Sequence, residues 1–212
     1  MAPIQFMLDI ETTGVRAKED KLLQVAMVEA KFDGKYWLHN GREFNEFCYL
    51  HPSYKPTSTF AKEHMGPIYE RCYKAPFEAA DPFWMREKML AFMKKSGKQP
   101  PFLFMGWNAG YFDVPFLNEK GVLIPPYYVD QDGKDIMLGD NHYRVNDLCG
   151  VVGFVMNLTG VTSMEALKAM MAGLDYPKAE LPAGKEHDAL FDCVSQLNMM
   201  NGLLAIMRGR EK

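Results

Sequence analysis

The tightest constraint on the fold lies in the first dozen residues. Ile4-Gln5-Phe6-Met7-Leu8-Asp9-Ile10 is a short apolar run that ends at a turn signal, Thr13-Gly14, and two acids, Asp9 and Glu11, are set into it two positions apart. A run of this length bounded by a turn reads as a buried strand. Side chains two apart on a strand project to the same side of the sheet. The strand therefore carries a carboxylate pair on one face, where uncompensated charge is costly to desolvate. Such a pair can grip one cation, or it can lie in solvent at the strand end.

The rest of the chain supplies a sheet and its cover. Residues 22–32 mix β-branched and apolar residues and stop at Asp33-Gly34, a hairpin signal, and 43–51 alternates and returns antiparallel. Residues 58–74 and 77–95 read as helices, the second with Gly97 past its end. A fourth strand is expected at 101–107, a short helix at 114–120 stopped by Gly121, a fifth strand at 143–148 and a long closing helix at 188–207. Strands first, then alternation with helices, predict an α/β sheet covered on both faces. No repeat, low-complexity tract or linker divides the chain, so a single domain over 1–212 is expected.

Bulk properties bound the function. With 212 residues, 48% of them hydrophobic, the chain is long enough to bury roughly 70% of its unfolded surface. The first ten residues hold no basic run, and no apolar stretch is long enough to span a bilayer, so neither a signal peptide nor a membrane partner is expected. Cys48, Cys72, Cys149 and Cys193 lie far apart and form no CxxC pair, which argues against a zinc site or a disulfide framework and for a cytoplasmic setting. The formal charge of −3 is unusual for a protein that holds nucleic acid by phosphate neutralisation alone. Four carboxylates committed to cations would turn it to +1, and the cations themselves would attract phosphate.

Two further acidic segments follow. Asp113 closes Gly106-Trp107-Asn108-Ala109-Gly110-Tyr111-Phe112-Asp113, after a strand and just before Pro115, a residue suited to a first helical turn. On its own, Asp113 reads as a helix N-cap. The third segment, Glu186-His187-Asp188-Ala189-Leu190-Phe191-Asp192, holds His187 and Asp192 five apart at the mouth of the closing helix. Five residues turn an ideal helix through about 500°, so the two would not share a face. His187 then belongs to the preceding loop, which carries Pro177, Pro182 and Gly184, with Asp188 as N-cap and Asp192 about one turn inside. Alone, this too is an ordinary histidine near a helix start.

Together the three segments resemble the DEDDh, or DnaQ-like, branch of the proofreading-type 3′→5′ exonucleases in the ribonuclease H-like superfamily. That family has D-x-E, then an Asn followed after a few residues by Phe-Asp, then His, four residues and Asp. Here these are Asp9 and Glu11, Asn108 through Phe112-Asp113, and His187 with Asp192, over residues 6–200. Asp147 falls where the family often has an acid ending its last strand.

The resemblance implies a ribonuclease H-like fold around a five-stranded mixed sheet flanked by helices. It also implies a phosphodiester hydrolase that releases nucleoside 5′-monophosphates from single-stranded DNA or RNA 3′ ends. Asp9, Glu11, Asp113 and Asp192 would hold two divalent ions, and oxygen ligands without thiolate select magnesium or manganese. His187 is the candidate for removing the proton from the attacking water. Thr12, Thr13 and Val15 occupy the family's places against the terminal nucleotide, with Val15 smaller than the Leu, Met or Phe usual for the wedge between the last two bases. Asn108 and Phe112 are further candidates for substrate contact.

Other features have two readings. Trp107, Tyr111 and Phe112 can stack on bases or belong to the core. His64 is either a helix-end surface residue or the counterpart of a His-Gly segment in relatives. Asp130 to Asp135 reads as a turn, not a calcium loop, and the sixteen methionines as core filler. Pro125-Pro126-Tyr127-Tyr128 is a candidate groove lining. Asp-Ile-Glu-Thr-Thr-Gly most resembles the proofreading members of that family, a resemblance that implies single-stranded DNA, with an oligoribonuclease acting on short RNA as runner-up. A dead nucleic-acid-binding module would be expected to have lost an acid or the histidine, and a polymerase-docking subunit to carry an extended tail.

Overall fold

The computed structural model describes residues 4–99, 101–124 and 145–209, together with the backbone of a small ribbon pairing β5 (Tyr128–Val129) with β6 (Asp135–Ile136). The Asp130 turn, the Pro125 to Tyr128 side chains and the start of the expected fifth strand lie outside the described residues.

The first three strands form a meander. β1 (Ile4–Thr12) pairs antiparallel with β2 (Leu22–Phe32), which pairs antiparallel with β3 (Trp37–Phe47). The hairpin at Asp33-Gly34 forms as expected: Gly34 takes φ +98°, and Asp33 Oδ1 accepts the N–H groups of Lys35 and Tyr36 at 2.7 Å. β3 starts right after this turn, earlier than the 43–51 expected, because strand pairing continues outward from the hairpin with Phe32 opposite Trp37. Beyond Phe47 the chain leaves the sheet, and Leu50 N–H donates to the Cys72 carbonyl.

The two middle helical segments each break once. Residues 58–74 divide at Met65 into α1 (Thr59–His64) and α2 (Gly66–Lys74), since Pro67 suits a new first turn and not a helix interior. Residues 77–95 divide into a 3-10 turn, Phe77–Ala80, and α3 (Pro82–Lys94), which is capped by Asp81 accepting from Phe83 N–H.

β4 (Phe104–Gly106) then runs parallel to β1, and β7 (Asn146–Asp147) runs parallel to β4. The sheet order is β3-β2-β1-β4-β7, a five-stranded mixed sheet. α4 (Asp113–Glu119) follows β4, and α5 (Leu148–Thr159), α6 (Met164–Ala172) and α7 (Ala189–Gly209) complete the chain. α5 and α6 were not anticipated. Among the described residues no single helix is long and apolar enough to cross a membrane.

Both sheet faces are covered, which is why β2 is buried over nine consecutive residues. Phe6, Leu8, Ile10, Val25 and Met27 pack under Met85, Met89 and Met93 of α3 and Phe116 and Leu117 of α4. On the opposite face Met7, Ala26, Val28 and Met105 meet Ala189, Cys193, Val194 and Leu197 of α7. The methionines of α3 thus act as core filler, as expected.

α7 is held by amide side chains as well as apolar ones. Asn201 accepts from Trp37 N–H at 2.9 Å and donates to its carbonyl at 2.8 Å, and Asn198 does the same to Ala179 at 2.7 and 2.9 Å.

Candidate active site

Three parallel strands, β1, β4 and β7, send their carboxyl ends to one edge of the sheet, the usual location of sites in open α/β folds. In β1 the alternation that buries Leu8 and Ile10 under α3 turns Asp9 and Glu11 to the other side, toward α7. The two acids therefore share a face, as their spacing predicts.

Asp113 arrives from the turn after β4. α4 begins at Asp113 itself, and Phe112 occupies the cap position without a side-chain bond, so Asp113 is not the N-cap its position allowed. Asp113 is 3% exposed and its Oδ1 accepts the Ile10 N–H at 2.9 Å, which fixes the carboxylate beside Asp9 and Glu11. One left-handed residue and one close backbone approach accompany it. Asn108 adopts φ +58°, and Gly106 leaves space that a Cβ would fill 2.5 Å from the Leu8 carbonyl oxygen.

His187 and Asp192 come from the start of α7. His187 has φ +67° and lies ahead of the helix; its N–H donates to Asp192 Oδ2 at 3.0 Å. Asp188 is the N-cap, with Oδ1 accepting from Leu190 N–H at 3.2 Å. The result brings both ends of the chain together: ligating atoms of Glu11, His187 and Asp192 lie within 4.8 Å of one another.

The electrostatics are those of crowded carboxylates. Burial first, then the charges of Asp113, Glu11 and Asp192, push Asp9 well above the usual carboxylate range. Glu11 is pushed up to about 8, by burial and then by Asp192, Asp188 and Asp113. Burial raises Asp113 to about 7 against the opposing Ile10 hydrogen bond, and burial also raises Asp192 against its bond from His187. The groups acting on Asp9 and Glu11 are other acids, and the one offsetting contact on Asp9 is the neutral Gln196 amide. A cluster of hard oxygen donors with this charge imbalance fits divalent cations.

The predicted substrate contacts are distributed unevenly. Val15 is 79% exposed and free to meet a ligand. The Thr12 hydroxyl donates to the Gly14 carbonyl, and the Thr13 hydroxyl accepts from Lys21 N–H and donates to Asp20, so both hydroxyls shape the loop. Asn108 is exposed, and its N–H, like that of Gly110, is held by the Asp147 carboxylate that also caps α5. The three aromatics separate: Tyr111 is 84% exposed and Trp107 37%, whereas Phe112 packs against the core. His64 is not isolated on the surface, since its ring lies 5.9 Å from that of His187 and 4.9 Å from Phe60, which also abuts His187 edge-on at 4.9 Å.

Sequence reasoning missed Gln196, which bonds Asp9; Gln24 and Arg71, which hold Asp188; and Phe60. Only Gln196 left a signal, as it lies one helical turn beyond Asp192 and so shares its face.

No protein-family model and no curated protein matches the chain. Solved structures do. The zinc-bound form of the E. coli ExoI–ssDNA complex superposes on 99% of this chain and 42% of its own length, with TM-score 0.58 and 15% identity. Cell-death related nuclease 4 matches over 97% of this chain and 64% of its own, with TM-score 0.59 and 16% identity. A further exonuclease I structure covers 95% of this chain and 40% of its own, with TM-score 0.59 and 17% identity. The fold is that of the ribonuclease H-like exonucleases. At these identities the likeness is one of fold, and the chain spans about two fifths of the exonuclease I chains. Within this ribonuclease H-like frame, the carboxylate cluster sits at the carboxyl ends of the parallel strands.

Proposed function

We propose that the chain is a metal-dependent 3′→5′ exonuclease of the DEDDh type. It removes nucleoside 5′-monophosphates from single-stranded nucleic acid, with DNA preferred over short RNA. The observation that carries this reading is the convergence of Glu11, His187 and Asp192 beside Asp9 and Asp113, from three segments of sequence far apart in the chain. The exonuclease folds it shares, one of them in complex with ssDNA, support the same reading.

Asp9, Glu11, Asp113 and Asp192 would hold two magnesium or manganese ions. When bound, such ions supply positive charge to the scissile phosphate and to the leaving 3′-oxygen. The chain's own residues do the rest. Ile10 N–H and Gln196 fix the directions in which Asp113 and Asp9 point. His187 Nε2 or Nδ1 accepts the proton of the attacking water, and Phe60 packed edge-on against the imidazole limits its rotation. Exposed Val15, Trp107 and Tyr111 offer apolar surface to the terminal bases.

Incubation with 5′-labelled DNA and RNA oligomers of matched sequence, with magnesium or with chelator, tests the proposal. A magnesium-dependent ladder shortening from the 3′ end, faster on DNA, is expected. Early release of labelled mononucleotide from the 5′ end contradicts the polarity, and no cleavage of either strand overturns the assignment.

A further inference from the structure

Gln196 is joined at both ends. Its Nε2 donates to Asp9 Oδ1 at 2.9 Å, and its Oε1 accepts the Trp107 backbone N–H at 2.8 Å. An amide has one donor end and one acceptor end, and here a carboxylate oxygen faces one while an N–H faces the other. Flipping it would set oxygen against oxygen and N–H against N–H, so the partners dictate one orientation. Beside the amide, Gly106 has no Cβ; one added there would clash with the Leu8 carbonyl oxygen at 2.5 Å and only touch Gln196 Oε1 at 3.4 Å.

Asp9 is the acid on which burial and three neighbouring carboxylates converge, so its plane has most to gain from a fixed neutral donor. Trp107 opens the turn that runs through Asn108 and exposed Tyr111 to Asp113. Gln196 thus stands between an acid of the cluster and the turn that delivers another.

We propose that Gln196 is a positioning residue of this site: its amide fixes the plane of the Asp9 carboxylate and ties that plane to the Trp107–Asp113 turn. The inference rests on the nuclease reading above. Partners that orient ligating carboxylates typically contribute about ten- to a hundredfold in metal affinity or activity. A side chain of the same length without the N–H donor should therefore lower turnover and leave strand binding intact.

The experiment compares the parent chain with Gln196→Met, which loses both hydrogen bonds, and Gln196→Glu, which keeps the acceptor for Trp107 but loses the donor to Asp9. Thermal melts, manganese calorimetry on the parent and Gln196→Met, and kcat and KM on a labelled DNA oligomer are read. Expected are a kcat about ten- to a hundredfold lower in both variants, a KM within about threefold of the parent, and weaker manganese binding in Gln196→Met. Parental kcat in either variant overturns the proposal. Loss of kcat in Gln196→Met alone, with a lowered melting temperature, makes Gln196 a packing residue and overturns it as well. A parent chain that neither binds manganese nor cleaves the oligomer instead overturns the nuclease reading, so the two failures are distinguishable.

Discussion

Arg71 of α2 and Asp188, the N-cap of α7, form an ion pair with Nη1 3.1 Å from Oδ2, although 117 positions separate them in sequence. Gln24 of β2 completes the contact, donating to Asp188 Oδ1 at 3.2 Å and accepting Ala189 N–H at the same distance. Three elements are thereby pinned where His187 leaves the loop. Arg71 is about half exposed, so screening limits its share to under about 1 kcal/mol. Asp188 is mostly buried and also caps the helix, and its loss should cost about 1–2 kcal/mol. Urea denaturation of Arg71→Ala and Asp188→Ala should rank them in that order, and the reverse ranking would make the ion pair, not the cap, the stabilising contact.

Replacing Asp9 by Ala should abolish turnover without unfolding the protein. The change removes a proposed metal ligand and relieves repulsion from Glu11, Asp113 and Asp192. Melting without metal should be unchanged or higher. Substantial magnesium-dependent cleavage by the variant would remove Asp9 from the mechanism.

The raised carboxyls give the metal-free protein a definite pH response. Glu11 moves from an ordinary 4.5 to about 8 and Asp113 from 3.8 to about 7 on folding, so the folded state holds protons the unfolded state has released. The stability linked to these two groups is fully present below about pH 4 and is lost as pH rises through about 7 to 8. In chelator, melting should fall between pH 5.5 and 8.5 beyond what other groups cause, and Glu11→Gln should flatten the slope. Manganese should raise the melting temperature more at the higher pH, where the ligands are already deprotonated. An unchanged slope in Glu11→Gln would show that this carboxyl is ionised throughout.

Replacing His187 by Ala separates base from ligand. As a positioned base, His187 should contribute about 10²- to 10⁴-fold to kcat, with little effect on manganese affinity or strand binding. Higher pH should partly restore the variant. Because His187 lies within 4.8 Å of Glu11 and Asp192, the opposite outcome is equally clear: a large loss of manganese binding in calorimetry makes it a ligand.

What could be read from the sequence were the features carried by short-range periodicity. Asp9 and Glu11 share a face because a strand alternates, and His187 precedes the helix that holds Asp192 because five residues do not return to the same side. The breaks at Met65 and Asp81 were also written locally, in Pro67 and Pro82. α5 was not recognised because Gly150 and Gly153, poor helix formers, interrupt an otherwise continuous apolar run. The contacts of Gln196 with Asp9 and of Gln24 with Asp188 join residues 187 and 164 positions apart, and no local pattern marks such pairs. The same holds for Thr12 and Thr13, whose hydroxyls are committed to a loop that only the folded chain reveals.

Because Asp9 and Glu11 lie in β1 while His187 just precedes α7 and Asp192 and Gln196 lie within it, the site has an order of appearance during synthesis. A chain leaving the ribosome exposes β1 to β3 early, with Met7, Ala26 and Val28 bare on the face awaiting α7. That intermediate carries Asp9 and Glu11 but not Asp113, Asp192, His187 or Gln196, so the cluster is incomplete and the sheet is apolar on one side. Docking of α7 buries that face and brings His187, Asp192 and Gln196 to Asp9 and Glu11 in one event. The cluster of Glu11, His187 and Asp192 is thus complete only once α7 has been made and docked.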